Sequence, residues 1–523
     1  MIRALSVADV RAVEAAAMAG LPEGELMRRA AEGLAEVAAA RLAERDGRTV
    51  VALVGAGDNG GDTLYAAELL CDAGFACAVV LLPDAGRSGV HAAGLEAAES
   101  AGATVVVAAQ DERAAARVVA EGDLVLDGIV GIGGKAGLRP RAAALVDAIA
   151  DDAWVIAVDV ASGLDPDGHE VGEDAVWADE TVTFGVPKPA HLLPAGEGAT
   201  GRLSVVDIGL AADDLAAGGR GAAVERLVHD DVAELWPVPG PADDKYSRGV
   251  VGIIAGGETY SGAAVLAVTA AVEAGVGMVR YVGTATPTGL VRSAVPEAVI
   301  GEGQCQAWLV GPGLDVAATG NEAGHQLRVA REVLAGDLPV VVDAGGLDLI
   351  EGRRDAPTLL TPHAGELARL LTRLAGSTDR KDGADAASSR EAAAGHPVGR
   401  PVTREDVERD PLSHVRAAAA LTGATVLLKG ACTLVAGPEL GDPVRSQADA
   451  PAWLATAGAG DVLSGLLGTL LAAGLDPLDA GSLGALVHGV AADRASRGGP
   501  LRALAVAHEI GPTVRALLTR DDA

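Results

Sequence analysis

Short apolar runs alternate with alanine-rich stretches along this chain, and this alternation restricts the fold more than any other feature. In the first half the apolar runs are 49–54, 76–82, 103–108, 123–129 and 154–160. In the second half they are 249–255, 307–310, 339–343 and 424–428. Strands separated by helix-length segments predict parallel sheets with helices on both faces. We therefore expect an α/β fold in both halves.

The length of 523 residues predicts two domains, each large enough for its own core. The stretch 210–221 contains Ala-Ala-Asp-Asp and Gly-Gly-Arg-Gly, which is typical of a linker. We place the domains at 1–215 and 222–523. The segment 376–411 is polar, mixed in charge and without apolar periodicity, and it predicts a mobile insertion in the second domain.

Composition narrows the class of partner. The formal net charge of −31 argues against a nucleic-acid polymer. No uncharged stretch reaches the ~18 residues of a membrane span, and the start, Met-Ile-Arg-Ala-Leu-Ser-Val, lacks a signal-peptide layout. The four cysteines form no CxxC pair and suggest no disulfide framework. We expect a cytoplasmic homo-oligomer that binds small molecules and neither nucleic acid nor membrane.

A glycine-rich loop leads into an apolar helical run in the second half. Residues 456–465 read Thr-Ala-Gly-Ala-Gly-Asp-Val-Leu-Ser-Gly, and the predicted helix is 462–475. Free backbone N–H groups and the positive end of a helix dipole form a phosphate site. Asp461, in the first turn, could take a proton from a substrate hydroxyl. The alternative is a structural glycine loop followed by an acidic helix start, which is common.

A second glycine loop, 55–62, reads Gly-Ala-Gly-Asp-Asn-Gly-Gly-Asp, and it lies between a predicted strand and a predicted helix, 63–73. Its glycine spacing differs from the dinucleotide fingerprint. The oxygens of Asp58, Asn59 and Asp62 could hold a cation or a ribose. Asp127 and Asp159 lie at the carboxyl ends of other predicted strands, where α/β sheets bind ligands, or they could be plain helix caps.

Lysine is rare in this chain. There are five lysines against 36 arginines (41 minus 5): Lys135, Lys188, Lys245, Lys381 and Lys429. Four of them adjoin loop-forming residues next to candidate motifs, and only Lys381 lies in a featureless polar stretch. A compact ammonium group suits a site where a point charge meets a phosphate. Chance placement is the alternative.

The N-terminal half resembles the YjeF N-terminal family, which are epimerases of hydrated NAD(P)H. The resemblance covers about 1–215 and rests on three ordered motifs and a later Phe-Gly-Val-Pro-Lys: 55–63, 126–137, 158–165 and 184–188. It implies a Rossmann-like, three-layer parallel sheet. It implies catalysis by Asp159 and Lys135, and a potassium ion held by Asn59, Asp127 and Ser162. The substrate residues that it implies are Asp58, Asn59, Gly60, Gly61, Asp62, Gly131, Ile132, Gly133, Gly134, Lys135, Ala136, Gly137 and Asp159.

The C-terminal half resembles the YjeF C-terminal family, ribokinase-like ADP- or ATP-dependent dehydratases of the same hydrates. The matching motifs are 245–249, 260–264, 311–313, 360–366, 428–433 and 458–465. The resemblance implies a hydrate site at Ala263, Gly313, His363 and Asp461, although a lone His363 would more often be structural. It implies Mg²⁺ with the nucleotide. The nucleotide residues that it implies are Lys429, Gly430, Ala431, Cys432, Thr433 and Gly460.

Three positions depart from the family patterns. Asp58 stands where the first family usually has Asn, which keeps an oxygen acceptor and loses an amide donor. Arg29 replaces an asparagine of the same family, which removes the amide from that position. Gly345 replaces the second acid of an Asp-Ala-Asp-Ala-Leu motif in the second family. If that acid helps to hold Mg²⁺ or the substrate, its loss would reduce activity.

The function expected is a bifunctional repair of the hydrates NADHX and NADPHX. The first domain interconverts their R and S epimers. The second dehydrates the S form, with Asp461 as base and a phosphoryl group from ADP or ATP turning the hydroxyl into a leaving group. One alternative is a ribokinase-like small-molecule kinase with an accessory domain, and another is a non-catalytic nucleotide sensor. The sequence leaves open ADP against ATP and NADHX against NADPHX.

Overall fold

A computed structural model describes residues 1–170, 174–210, 221–378, 400–439 and 441–519. The chain forms two compact units. The N-terminal unit is Arg3–Val224, and the C-terminal unit is Glu225–Ala523 together with the first two residues. Most of the predicted linker, 211–220, lies outside the described residues. The assignment of one activity to each domain stays a prediction.

The N-terminal unit is built on a parallel sheet. The strands of this part of the chain are β1 Ile2–Ala4, β2 Thr49–Val54, β3 Ala76–Leu81, β4 Thr104–Val107, β5 Leu124–Gly128, β6 Trp154–Val158, β7 Glu180–Phe184 and β8 Arg202–Val206. Seven of them are parallel, in the order β4-β3-β2-β5-β6-β7-β8. The α-helices are Val7–Met18, Glu25–Glu44, Asp58–Asp72, Ala92–Ser100, Glu112–Val119, Pro140–Val146 and Glu197–Thr200.

Helices cover both faces of this sheet. Val50, Ala52 and Val54 of β2 pack in one apolar cluster with the helix Glu25–Glu44. The alternate residues Val51 and Leu53 pack on the other face, with side chains from Glu112–Val119 and Pro140–Val146. Since successive side chains of a strand point to opposite faces, this division gives the predicted three layers.

The helix after β2 begins earlier than the sequence predicts. It runs from Asp58 to Asp72, so the residues Asp58–Asp62 form its first turns and not a free loop. Glycine permits this entry because a Cβ at Gly60 would lie 2.4 Å from the carbonyl oxygen of Gly55. The predicted start at residue 63 is therefore wrong.

The C-terminal unit contains a larger, mixed sheet. Its strands are β9 Val224–Arg226, β10 Val250–Ile254, β11 Met278–Val282, β12 Val299–Ile300, β13 Ala307–Val310, β14 Val340–Val342, β15 Thr358–Leu360, β16 Thr425–Leu428, β17 Thr433–Ala436 and β18 Val444–Gln447. Nine of them follow the order β18-β17-β16-β15-β14-β13-β10-β11-β12. Strands β10 to β16 pair in parallel, and β17 and β18 are antiparallel additions.

The helices of this unit surround the same sheet. They are His229–Leu235, Gly262–Glu273, Ala285–Ala294, Asn321–Ala335, Ala364–Thr378, Arg404–Arg409, Pro411–Thr422, Ala459–Ala472, Pro477–Ser496 and Ala503–Thr519. The helix Ala459–Ala472 begins three residues before the predicted start, and it is buried along most of its length. Gly465 brings it close to the helix Gly262–Glu273, because a Cβ there would lie 2.1 Å from the carbonyl oxygen of Ala267.

The predicted insertion at 376–411 is only partly described. Residues 379–399 lie outside the described residues. The part from residue 400 onward contains the helix Arg404–Arg409, whose first turn is capped by Thr403 and Asp406 and which buries Val407. The part 400–411 therefore contains a capped helix with a buried side chain, and the mobility of the insertion stays a prediction. In the described part of the chain, no helix has the length and hydropathy to cross a bilayer.

Candidate active sites

The carboxyl ends of β5 and β6 meet through Asp127 and Ser162. The Asp127 side chain is fully buried. Its Oδ1 accepts from Ser162 Oγ at 2.7 Å, and its Oδ2 accepts from Ser162 N at 2.8 Å. Burial raises the pKa of Asp127 to about 6, against the opposing effect of these hydrogen bonds. A carboxylate held here would be stabilised by a cation.

Asn59 adds a further polar group to the same edge of the sheet. Its Oδ1 and Nδ2 are both buried, and neither has a hydrogen-bond partner. The side chain lies against the strand end after β5, since a Cβ at Gly131 would be 3.1 Å from Asn59 Oδ1. Val130, the preceding residue, donates its N–H to Ser162 Oγ at 3.0 Å.

These three residues fit the potassium site that the resemblance implies. An unpartnered buried amide oxygen, a buried carboxylate and a hydroxyl are the oxygen ligands that a hard cation prefers. Burying a polar group without a partner costs free energy, and a bound cation would remove that cost at the Oδ1 atom of Asn59. The presence of potassium itself stays a prediction.

Asp159 is the second acid at this sheet edge, and it has an unusual backbone. Its φ is 68°, in the left-handed region that non-glycine residues seldom adopt. Its Oδ1 accepts from Thr183 Oγ1 at 3.0 Å and forms a buried ion pair with Lys188 Nζ. The carbonyl oxygen of Asp159 accepts from His191 Nε2 at 2.9 Å.

Two further carboxyl groups share the electrostatic environment of Asp159. The pKa of Asp62 is raised well above its usual range by burial, by Asp159 and by Asp58. The pKa of Glu14 is also raised, by burial and then by Asp159, although Lys188 opposes the shift. The N-terminal site therefore holds more carboxyl groups than buried cations, which raises the pKa of both Asp62 and Glu14.

The glycine-rich loop 131–137 lies beside these acids. Gly134 N donates to the carbonyl oxygen of Gly131 at 2.9 Å, and Gly137 N donates to that of Gly163 at 2.8 Å. The second bond connects the loop to the residue after Ser162. Lys135 is exposed on the loop, so its proposed catalytic role stays a prediction.

The C-terminal site is centred on Asp461 in the first turn of the helix Ala459–Ala472. Gly458 caps this helix with φ 91°, a left-handed conformation that favours glycine. Burial raises the pKa of Asp461 to about 7, and the carboxylate of Asp343 adds to the shift while Lys429 opposes it. An acid with a pKa near 7 is suited to proton transfer at neutral pH.

Lys429, Asp343 and Ser464 form a connected group beside Asp461. Lys429 Nζ donates to Asp343 Oδ1 at 2.7 Å, and Ser464 Oγ donates to Asp343 Oδ2 at 2.8 Å. Burial alone would lower the pKa of Lys429, but Asp343 and Glu366 outweigh it and the pKa is raised. Gly460 adjoins this group, since a Cβ there would lie 3.3 Å from Lys429 Nζ.

The predicted nucleotide loop turns sharply between β16 and β17. Gly430 is exposed, and a Cβ there would lie 3.1 Å from the carbonyl oxygen of Cys432. Thr433 Oγ1 donates to the carbonyl oxygen of Gly430 at 3.4 Å. Lys429 therefore lies next to Gly460. The four residues after Lys429 form a compact turn: Gly430, Ala431, Cys432 and Thr433.

The predicted hydrate residues fall into two groups. Ala263 and Gly313 are adjacent, because a Cβ at Gly313 would lie 2.8 Å from Ala263 Cβ. His363 is exposed at the start of the helix Ala364–Thr378, where its Nδ1 accepts from Gly365 N at 3.0 Å. Lys429 N donates to the carbonyl oxygen of Pro362 at 2.9 Å, which brings His363 next to Lys429. The pKa of His363 is lowered by partial burial, so the neutral form is favoured at pH 7.

Two of the departures have structural explanations. A Cβ at Gly345 would lie 2.0 Å from the carbonyl oxygen of Leu314, so this backbone has no room for the acid that the family pattern has there. Arg29 donates from Nη1 to the carbonyl oxygen of Ile208 at 3.0 Å and pairs with Glu25. It is therefore engaged within the N-terminal unit.

Comparison with known proteins places both halves in one family. The family model described as NAD(P)H-hydrate dehydratase matches residues 251–506. The model described as YjeF-related protein N-terminus matches residues 23–190. The bifunctional NAD(P)H-hydrate repair enzyme Nnr of Mycobacterium leprae is 44% identical over 505 residues, which cover 93% of each chain. The chain belongs to this family of bifunctional repair enzymes.

A more distant relative and a solved structure also align with large parts of this chain. The Escherichia coli bifunctional NAD(P)H-hydrate repair enzyme Nnr is 30% identical over 92% of this chain and 87% of its own. The Bacillus subtilis ADP/ATP-dependent NAD(P)H-hydrate dehydratase, co-crystallised with ATP and Mg²⁺, aligns with 57% of this chain and 98% of its own, at 23% identity and a TM-score of 0.45. The predicted α/β class, with parallel strands in the sheet of each unit, is confirmed by the structure, and the family expected from the motifs is confirmed by both family models. The ribokinase-like character of the second unit stays a prediction.

Two site residues were not among the predicted ones. Lys188 lies in a quoted motif, but its ion pair with Asp159 connects positions 29 residues apart. Asp343 begins the motif that contains Gly345, and its contacts reach Lys429 and Ser464 across 86 and 121 residues. The rarity of lysine was the one signal in the sequence that pointed to both pairs.

Proposed function

We propose that the C-terminal unit dehydrates the S form of NADHX or NADPHX with Asp461 as the general base. The observation that carries this role is the partly buried Asp461 carboxyl, with its pKa of about 7, at the amino end of a helix behind a glycine loop. Such a group can take the C6 hydroxyl proton of a hydrate at neutral pH. The free N–H groups at the helix start would stabilise charge on a transferring phosphoryl group.

The proposed reaction has two steps. In the first, Asp461 takes the hydroxyl proton, the oxygen bonds to the terminal phosphorus of ADP or ATP, and the bond to the remaining nucleotide breaks. In the second, the C6–O bond breaks with phosphate as the leaving group, and C5 loses a proton as the C5–C6 double bond forms. The products are NADH or NADPH, inorganic phosphate and the shortened nucleotide.

Lys429 is suited to bind the nucleotide phosphates, together with Gly460 and the turn 430–433. Mg²⁺ commonly binds through one or two carboxylates and the phosphates of a nucleotide. Asp343 and Glu366 meet that need, because both lie within 4 Å of Lys429. Among the described residues no cluster of three His, Cys, Asp or Glu side chains forms a metal site from protein alone. Bound there, Mg²⁺ would neutralise phosphate charge.

For the N-terminal unit we propose epimerisation at C6 through opening of the hydrated ring. Asp159 takes the C6 hydroxyl proton, the carbonyl forms, and the C6–N1 bond breaks with its electron pair moving to N1. Asp62, whose pKa is raised by burial and by Asp159, supplies a proton to N1. Reclosure on the other face of the carbonyl gives the other epimer. Potassium at Asn59, Asp127 and Ser162 would fix the loop ends beside the substrate.

The proposed domains are 1–215 for epimerisation and 222–523 for dehydration. They can be tested within the whole chain, which should be a cytoplasmic homo-oligomer. Purified protein is incubated with each epimer of hydrated NADH and with ADP or ATP, and the dihydronicotinamide absorbance and phosphate release are followed. Asp461→Asn should abolish dehydration and leave epimerisation, whereas Asp159→Asn should do the reverse for the S epimer.

The two alternatives would give other results in the same assay. A small-molecule kinase would form a stable phosphorylated product without regenerating the reduced cofactor. A nucleotide sensor would bind nucleotide saturably without turnover. Either outcome with the wild-type chain would overturn the proposed dehydration.

A further inference from the structure

Lys188 is one of the most completely buried side chains in the N-terminal unit. It is 1% exposed, although its Nζ carries a positive charge. Nζ donates to Thr183 Oγ1 at 3.0 Å and pairs with Asp159 Oδ1. A buried ammonium group is tolerated only where it is paired and hydrogen-bonded. The chain therefore uses one of its five lysines to place a positive charge behind Asp159.

The main chains of Lys188 and Asp159 are also connected, through the side chain of His191. Lys188 N donates to His191 Nδ1 at 3.1 Å, so the other ring nitrogen, Nε2, carries the proton and donates to the carbonyl oxygen of Asp159 at 2.9 Å. Burial, and then Lys188, lower the pKa of His191 to about 4, which keeps this bridging ring neutral at physiological pH. Asp159, with its left-handed backbone, is thus held from both its side chain and its carbonyl group.

The charges around Asp159 are mainly negative. The groups that interact with it from neighbouring elements are Lys188, His191, Asp62 and Glu14, with Asp58 and Arg11 next to Glu14. Without Lys188, the carboxyl groups of Asp62, Glu14 and Asp159 would share a largely buried space. Among these named groups, the Lys188 ammonium pairs directly with Asp159 and opposes the raised pKa values of Asp62 and Glu14.

We propose that Lys188 is a positioning residue for the epimerisation, which pairs with the Asp159 carboxylate and fixes its direction toward the hydrate. The inference rests on the proposed role of Asp159 as the base. Lys188 acts through Asp159 and does not need to touch the substrate. The alternative is an ion pair that only stabilises the fold.

Chemical rescue separates these two roles. In the full chain, Lys188→Ala should lower kcat of epimerisation about 10²-fold, the size of loss expected from a misplaced catalytic group, with little change in KM. Methylammonium ions, which carry N–H donors and are smaller than the part of the side chain removed, should restore part of the lost kcat. Tetramethylammonium ions lack N–H donors and should restore none. Dehydration of the S epimer by the same preparation normalises the amount of active chain.

A second variant covers the case in which Lys188→Ala does not fold. Thr183→Val keeps the shape of a buried strand residue and removes the hydroxyl that bonds both Asp159 and Lys188. It should lower kcat of epimerisation about tenfold, with an unchanged circular dichroism spectrum. Ser204→Ala, a hydroxyl on the neighbouring β8 that bonds Glu180, is the matched control and should keep wild-type kcat.

The outcomes are distinct. Wild-type kcat in folded Lys188→Ala, or a loss that methylammonium does not reduce, would overturn the positioning role. If Lys188→Ala does not fold, wild-type kcat in Thr183→Val would do the same. If Asp159→Asn itself keeps epimerisation, the proposed base is wrong. Inactive Asp159→Asn with fully active Lys188→Ala would leave the proposed function intact and remove this inference alone.

Discussion

Lys429 Nζ lies 2.7 Å from Asp343 Oδ1, although the two residues are 86 positions apart in the chain. The lysine predicted to bind a nucleotide is therefore held by a carboxylate that is itself fixed by Ser464. This pair connects the residues that directly follow β14 and β16, and it places a positive charge near Asp461. A phosphate that reaches Lys429 must share it with Asp343, so binding and acid–base chemistry at this site are coupled.

Replacement of Asp461 by asparagine should abolish dehydration and leave nucleotide binding largely intact. An amide cannot take the hydroxyl proton, and such catalysis is normally worth ~10²–10⁴-fold in rate. Turnover is measured as recovery of dihydronicotinamide absorbance, and binding is measured by calorimetry. If Asp461→Asn keeps more than about a tenth of wild-type turnover, Asp461 is not the base.

The rate of dehydration should depend on pH through Asp461. Burial and Asp343 raise the pKa of Asp461 to about 7, and only the ionised form can act as base. kcat/KM should therefore fall as pH drops below about 7 and level off above it. Asp343→Asn removes a negative charge that raises this pKa, so the fall should move to lower pH even if the maximum rate declines.

The matched control for that experiment is Asp348→Asn. Asp348 is about half exposed, and it forms an ion pair with Arg373 and not with the site residues. Its variant should keep the wild-type pH profile. A profile that does not move in Asp343→Asn would show that another group is titrating.

Lys429→Met should weaken ADP and ATP binding and leave the affinity for the hydrate nearly unchanged. The ammonium group is the point charge closest to Gly460 among the described site residues, and a thioether cannot replace it. Titration calorimetry with each ligand is the measurement. Lys245→Met, at an exposed position that contacts Tyr246, is the control and should bind as the wild type does. Equal nucleotide affinities in the two variants would show that Lys429 does not bind the nucleotide.

Potassium should stabilise the N-terminal unit through Asn59. A ligand that binds only the folded state adds about 2.7 kcal/mol to the free energy of unfolding at 100 times its Kd. Thermal unfolding is compared in potassium chloride and in choline chloride of equal ionic strength. Asn59→Leu should lose the difference, whereas Asp58→Asn, at the exposed neighbouring position, should keep it. The same Tm in both salts for the wild type would argue against the site.

Gly345→Asp should destabilise the protein, although it restores the acid of the family pattern. Its Cβ would lie 2.0 Å from the carbonyl oxygen of Leu314, and forcing atoms into such a space costs about 1–3 kcal/mol. Gly352→Asp, where no atom lies within 4 Å of the added Cβ, should unfold like the wild type. Denaturant unfolding of both variants decides the matter, and a gain in activity with unchanged stability for Gly345→Asp would contradict the expectation.

The sequence predicted the parts of this molecule that depend on local pattern. The strand β2 was predicted with its actual ends, and the position of Asp461 in a first helical turn was also predicted. Such features follow from apolar runs and from glycine placement. The start of the helix at Asp58 was missed because it depends on the close approach of Gly60 to Gly55, which no local pattern encodes.

The contacts between distant segments could not be predicted in the same way. The pairs Lys188–Asp159 and Lys429–Asp343 arise from the order of strands in each sheet, and that order was not assigned from the sequence. The unpartnered amide of Asn59 is a property of packing, and so is the missing space at Gly345. Each of these appears only when the strands are placed side by side.

The burial of Lys188 also decides how this protein responds to amine-directed reagents. A chain with five lysines offers few reactive side chains, and Lys135 and Lys245 are exposed whereas Lys188 is enclosed. Acylating reagents should therefore modify Lys135 and Lys245 first and Lys188 only after unfolding. A fluorophore attached in this way would report on the loop 131–137 without disturbing the enclosed pair, and reactivity at Lys188 would signal local opening of the N-terminal unit.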